Sequence, residues 1–97
     1  MKPKVYSIDI DGSLTKSSAW NEQECLDAEP RLDAIEKVNE LALLNFIVIH
    51  TARRHELYLP TIVWLNKHNV RFHAVSFAKM PCDIIFDLDA VNEVNKL

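Results

Sequence analysis

The stretch YSIDIDGSLT sets two acids, Asp9 and Asp11, one residue apart at the end of an apolar run. Gly12, the one glycine of the chain, follows them. An unpaired carboxylate is costly to take out of water, so a buried strand that ends in two negative charges needs a chemical reason. Further along, Thr51 closes the apolar stretch FIVIHTA, Lys79 follows AVSFA, and Asp83, Asp87 and Asp89 lie beside or within IIFDLDA. Clustered carboxylates repel one another unless a hard cation sits among them, and Mg²⁺ takes one or two carboxylates with water and a substrate phosphate. A carboxylate can itself attack phosphorus, forming an aspartyl phosphate that water then cleaves. A second acid two residues on can protonate the leaving oxygen and later take a proton from water. A hydroxyl and an ammonium group can hold the equatorial oxygens while charge develops on them. Gly12 permits a sharp turn that brings a backbone amide toward the same phosphate. Together these residue types suit phosphoryl transfer.

For such groups to meet, the chain must deliver them to one edge. Residues 5–10 (VYSIDI) and 46–52 (FIVIHTA) read as buried strands, rich in β-branched and aromatic side chains. Residues 74–78 (AVSFA) and 84–90 (IIFDLDA) read as a third and a fourth. Between the first two strands lies a polar loop and then a helix, with Pro30 in its first turn and Leu32, Ile35, Val38 and Ala42 on one face. Pro60 opens a second helix, PTIVWLNKH, whose Ile62, Val63 and Leu65 would face the sheet; residues 53–59 before it read as a loop or separate turn. A short tail helix is expected from Val91. Strands alternating with helices imply a mostly parallel sheet covered on both faces. In such sheets ligands bind beyond the carboxyl ends of the strands, where Asp9, Thr51, Lys79 and Asp87 would converge.

The bulk composition fits this reading. A chain of 97 residues, 48% hydrophobic, suits one domain over residues 1–97 with one core. A net charge of −3 offers no basic footprint for a nucleic-acid backbone, so any nucleic-acid role would be local to a site. Cys25 and Cys82 have no ligand-like spacing and read as free thiols of a reducing cytosol, with a single disulfide between them as the alternative. The opening MKPKVYS holds no signal-peptide stretch, and no run reaches transmembrane length. The expectation is a cytoplasmic protein with no membrane partner.

The motifs also carry a resemblance. DIDGSLT resembles the first motif of the haloacid dehalogenase superfamily, D-x-D-G-[ST]-L-T, and FIVIHTAR looks like its second. Lys79 falls where the lysine of the third motif belongs, and DIIFDLDAVN resembles the acidic fourth. The stretch from WLNKH to DLDAVN is similar to a small capless group that includes phosphatases of capsule biosynthesis. The resemblance implies a minimal Rossmann-like three-layer α/β sandwich with strand order 3-2-1-4 and no cap domain. It implies Asp9 as nucleophile, Asp11 as general acid and base with its carbonyl on Mg²⁺, Thr51 on the phosphoryl group, Lys79 as charge balance and Asp87 completing the metal site. This chain departs from the group in two places: Leu88 separates Asp87 from Asp89, and Met80 follows Lys79 where the group has proline. Asp89 and Asp83 are candidates to support the metal from a second layer, Asp83 being otherwise a loop acid.

Several residues keep two readings. Arg53 and Arg54 are either a solvated pair or, for Arg53, a grip on a second anionic group of the substrate. Trp20 is either a packing anchor or a wall for the substrate. His68 is expected to end its helix and pack, Trp64 to lie in the core, and His50, His55 and His73 show no metal-ligand spacing. The function expected is an Mg²⁺-dependent phosphohydrolase acting on a phosphomonoester, namely a sugar phosphate, a nucleotide or a nucleic-acid end. A homo-oligomer is left open. The alternative is a catalytically impaired relative that binds metal or phosphate as an interaction module. A phosphate-accepting receiver domain fits less well, since the third strand, AVSFA, has no acid.

Overall fold

Alternating isoleucines in two short runs set the sheet. The computed structural model describes residues 2–77. Within them, β1 (Val5–Asp9), β2 (Phe46–His50) and β3 (Ala74–Ser76) form a parallel sheet in the order β1-β2-β3. Tyr6 pairs in register with Ile47 and Ile8 with Ile49, so these four side chains share one face. All four are buried, the isoleucines completely. The expected fourth strand, and with it the place of a fourth position in the order 3-2-1-4, lies outside the described residues, as does the expected tail helix.

Two helices pack on that isoleucine face. In α2 (Leu32–Leu41), Ala34, Ile35 and Val38 are buried, and Leu41 and Ala42 join the same cluster at its edge. That set recurs at helical spacing and makes one apolar stripe. Leu32, expected on the stripe, lies well off it in angle and is 70% exposed. Pro30 also stands outside the helix, which Arg31 caps without a side-chain bond. In α3 (Tyr58–Lys67) the buried set is Pro60, Thr61, Trp64 and Leu65, while Val63 faces away from it and is exposed. Pro60 sits in the first turn of α3, where its missing N–H has no partner to lose, and a 3₁₀ turn (His55–Leu57) precedes the helix. Leu32 and Val63 thus correct the expected faces.

Because the strand order runs in one direction, connections of the same hand put both helices on one side. Accordingly α2 and α3 contribute to the cluster around Tyr6, Ile8, Ile10, Ile47 and Ile49. On the opposite face the Ser7 hydroxyl and His50 Nδ1 share a 2.7 Å hydrogen bond. Of the cover expected on both faces, α2 and α3 thus supply one. Residues 78–97, expected to contribute the fourth strand, are not among those described.

The end of α3 explains the role of Asn69. With φ of 57°, Asn69 is left-handed; its N–H donates to the Asn66 carbonyl (3.2 Å) and the Val70 N–H to the Leu65 carbonyl (3.0 Å). This pair of bonds closes a helix whose last carbonyls would otherwise lack donors. His68 ends the helix as expected, its ring 4.6 Å from that of Trp64. Burial holds its imidazole below the usual histidine range, and the neighbouring Lys67 adds to that.

The segment after β1 is more ordered than a polar loop. Lys16 donates from its backbone to the Glu29 carbonyl (2.9 Å) and Arg31 to that of Leu14 (2.8 Å), with Thr15 bridged antiparallel to Pro30. These bonds pinch the base of an arm that carries α1 (Glu22–Asp27). Asn21 caps α1 by accepting the Glu24 N–H (2.9 Å), and the Glu24 carboxylate accepts the Trp20 N–H (2.8 Å). An asparagine followed three residues later by glutamate is a legible start signal. α1 packs against α3, and the Trp64 indole N–H donates to the Ala28 carbonyl at 2.8 Å.

Candidate active site

The carboxyl ends of the three parallel strands meet at one edge of the sheet, and Asp9 is the last residue of β1. Thr51 follows β2 directly, and its N–H donates to the carbonyl of Ser76, the last residue of β3 (3.0 Å). A cleft of about 460 Å³ opens at this edge. Asp9 and Asp11 line it together with Ser18, Ala19, Trp20, Ala52, Arg53, Arg54 and Leu57.

Asp11 is held by Arg53. The guanidinium donates through Nη2 to Oδ1 at 2.7 Å and through Nε to Oδ2 at 3.1 Å. The Arg53 side chain is only 2% exposed, and that of Asp11 22%. A planar fork on a carboxylate fixes orientation as well as charge. The remaining Nη1 donates to the Thr61 hydroxyl at 2.8 Å, so α3 in turn holds Arg53. Ala19 adds its N–H to Asp11 Oδ1 at 3.3 Å, which ties the arm to the site. Oδ1 thus accepts twice and Oδ2 once. Arg53 therefore directs its donors at Asp11 and Thr61.

Behind this group Cys25 is fully buried with Ala19 and Leu57. Burial pushes its thiol above the ordinary range; nearby Arg53 opposes the rise, Asp11 adds to it, and a hydrogen bond with Thr61 lowers it. A buried thiol raised in this way is a poor nucleophile.

Thr51 is completely buried and is not among the residues that line the cleft. Its Oγ1 accepts the Arg53 N–H at 3.1 Å, which shapes the turn that aims the guanidinium. Gly12 has φ of 81°, in the left-handed region open to glycine. Its N–H donates to Thr15 Oγ1 (3.2 Å), while the N–H groups of Ser13, Leu14 and Thr15 converge on the Ile10 carbonyl. The turn thus folds back on β1 and spends these amides internally. Arg31 Nη1 donates to the Gly12 carbonyl at 3.2 Å.

Lys79, Asp83, Asp87 and Asp89 lie outside the described residues. Among the described residues, no three or more His, Cys, Asp or Glu side chains come together to hold a metal. The oxygens at the cleft are hard donors, and Asp9 with the Asp11 carbonyl would make the small protein share that Mg²⁺ takes beside water and phosphate. The donor chemistry therefore fits this ion. No helix among the described residues is long and apolar enough to cross a membrane.

Sequence reasoning missed Thr61, Ala19, Ser18 and Leu57. Ala19 and Thr61 touch the site through a backbone N–H and a single hydroxyl, which leaves no spacing signal. The Asn21–Glu24 start signal was available to place Trp20 just before a helix.

No protein-family model matches the chain, and no curated protein matches it. Solved structures do. A chain in the structure of a Pnkp1/Rnl/Hen1 complex aligns with a TM-score of 0.66 at 14% identity, over 89% of this chain and 29% of that one. A chain of the Pnkp1/Rnl/Hen1 RNA repair complex aligns with a TM-score of 0.67 at 15% identity, over 98% of this chain and 30% of that one. This chain therefore spans less than a third of the length of these two chains. At these identities the likeness is one of fold, and it places the α/β architecture with a fold found inside larger proteins.

Proposed function

We propose that this protein is an Mg²⁺-dependent phosphohydrolase that cleaves a phosphomonoester at a nucleic-acid end through an aspartyl phosphate on Asp9. The observation that carries the reading is the pairing of Asp9 and Asp11 in one cleft at the carboxyl edge of a parallel sheet, with Asp11 aimed by Arg53. Asp9 attacks phosphorus in line with the leaving oxygen, and the ester bond breaks as the Asp9–phosphorus bond forms. Asp11, once it has taken up a proton from solvent, gives it to the leaving oxygen, then takes one from the water that cleaves the acyl phosphate. Oδ2 is the oxygen suited to this exchange, because it accepts one hydrogen bond where Oδ1 accepts two. Arg53 acts through Asp11 by holding it, and Thr51 acts through Arg53 by shaping its turn. Lys79 is assigned to charge balance, Asp87 to the metal, and Asp83 and Asp89 to its second layer, on the resemblance of their motifs. Asp9, the Asp11 carbonyl and Asp87 would hold Mg²⁺, which would supply charge neutralisation at the phosphoryl group.

The fold likeness to chains of an RNA repair complex supports a nucleic-acid end among the phosphoesters considered. The test is phosphate release from sugar phosphates, nucleotides and 3′-phosphorylated oligonucleotides, with Mg²⁺ and with EDTA. Release that needs the metal and vanishes in Asp9→Asn is the result expected. A cooperatively melting protein that releases nothing across the panel would instead favour the impaired binding module.

A further inference from the structure

Trp20 is 80% exposed, which rules out the packing anchor, and it lines the same cleft as Asp9 and Asp11. A large aromatic ring in water is ordinary when scattered singly, but this one borders the two candidate catalytic acids. Its backbone is fixed on both sides. The Glu24 carboxylate accepts the Trp20 N–H at 2.8 Å, and the preceding Ala19 is buried and donates to Asp11 at 3.3 Å. The ring is thus held beside the acids by backbone bonds that leave the ring itself in solvent. Arg54 lines the cleft too; its side chain is 80% exposed and, among the described residues, pairs with the solvated Glu56 at 3.1 Å. Such a surface pair holds its guanidinium weakly, so an incoming anion can claim it.

We infer that Trp20 is a stacking platform for a nucleobase attached to the scissile phosphate, and that Arg54 meets the next phosphate when that nucleotide ends a strand. The inference rests on the phosphohydrolase reading above and narrows its substrate to a base-bearing phosphomonoester. Every base offers a π-face, so the platform accepts any of them. A sugar phosphate without a base leaves the ring unused.

The test compares Trp20→Ala and Trp20→Phe on a nucleoside 3′-monophosphate, a 3′-phosphorylated trinucleotide and glycerol phosphate. Trp20→Ala is expected to lower kcat/KM about tenfold on the two base-bearing esters, the scale of one lost stack. It should leave glycerol phosphate within about twofold, and Trp20→Phe should restore most of the loss. Arg54→Ala losing only the trinucleotide would support its contact with the next phosphate, and equal loss on both base-bearing esters, or on neither, would overturn that contact. Equal loss on all three esters, or none, overturns the platform while leaving the hydrolase intact. Binding is read separately in Asp9→Asn by tryptophan emission, since the other tryptophan, Trp64, is 1% exposed. Saturable quenching by the nucleoside monophosphate, absent in Trp20→Phe, supports the platform even if no ester is cleaved. No quenching overturns it, as does a Trp20→Ala variant whose only change is a smaller mass in solution, which would make the ring a contact between copies.

Discussion

Arg53 grips both carboxylate oxygens of Asp11, at 2.7 and 3.1 Å, across a gap of 42 residues in sequence. This fork joins the loop after β1 to the loop after β2, and Thr61 continues it into α3. The second acid of the motif is therefore oriented before any substrate arrives. Preorganised orientation of a carboxylate is worth more in a cleft than on an open surface.

Removing one partner of a partly buried pair leaves the other charge only partly compensated by solvent. Arg53→Ala is expected to cost about 3 kcal/mol in unfolding free energy. Arg53→Lys should fall between wild type and alanine, since it keeps the charge and loses the fork. Urea denaturation of the three proteins measures this directly, and an unchanged midpoint for alanine would show that the pair contributes nothing net.

Gly12→Ala isolates a backbone effect. Its φ is 81°, yet a Cβ built there meets nothing within 4 Å. Only conformational strain remains, about 1 kcal/mol. Gly12→Asn should cost less, because asparagine tolerates the left-handed region. Thermal melts compare the two; a loss of several kcal/mol for alanine would mean that the turn itself rearranges.

The Cys25 thiol titrates above its ordinary value of 9.0 because burial disfavours the thiolate. The folded state therefore holds its proton more tightly than the unfolded one. Its contribution to stability is full below about pH 9 and is lost as pH rises through the higher folded value. In a Cys82→Ser background, Cys25 should resist a thiol reagent at pH 8 (a value near about one unit below its ordinary pKa) until urea unfolds the chain. Prompt labelling of the native protein would contradict its burial.

Mg²⁺ should raise the melting temperature relative to EDTA. On the proposed reading the ion would bind only where Asp9 and the Asp11 carbonyl are brought together, which happens in the folded state. Asp9→Asn should shrink the shift. Equal melts with and without excess Mg²⁺ would count against the metal site.

Local pattern alone made much of this protein legible. The isoleucine runs announce β1 and β2, Ile35 and Val38 mark the buried stripe of α2, and the D-x-D-G spacing puts Asp9 and Asp11 at a strand end. These features repeat over a few residues, and the backbone period of a strand or helix converts them into a face. Tertiary structure decided the rest. Nothing local tells Arg53 to face Asp11 and Thr61 instead of solvent, because the partners come together only when β1, β2 and α3 pack. Trp20 remained open to either reading until the arm was seen to close at Thr15 and Pro30 with the ring outside it. Leu32 and Val63 fell on the wrong face because each helix carries more apolar residues than one stripe can hold, and only packing selects Ala34, Ile35 and Val38 in α2 and Thr61, Trp64 and Leu65 in α3.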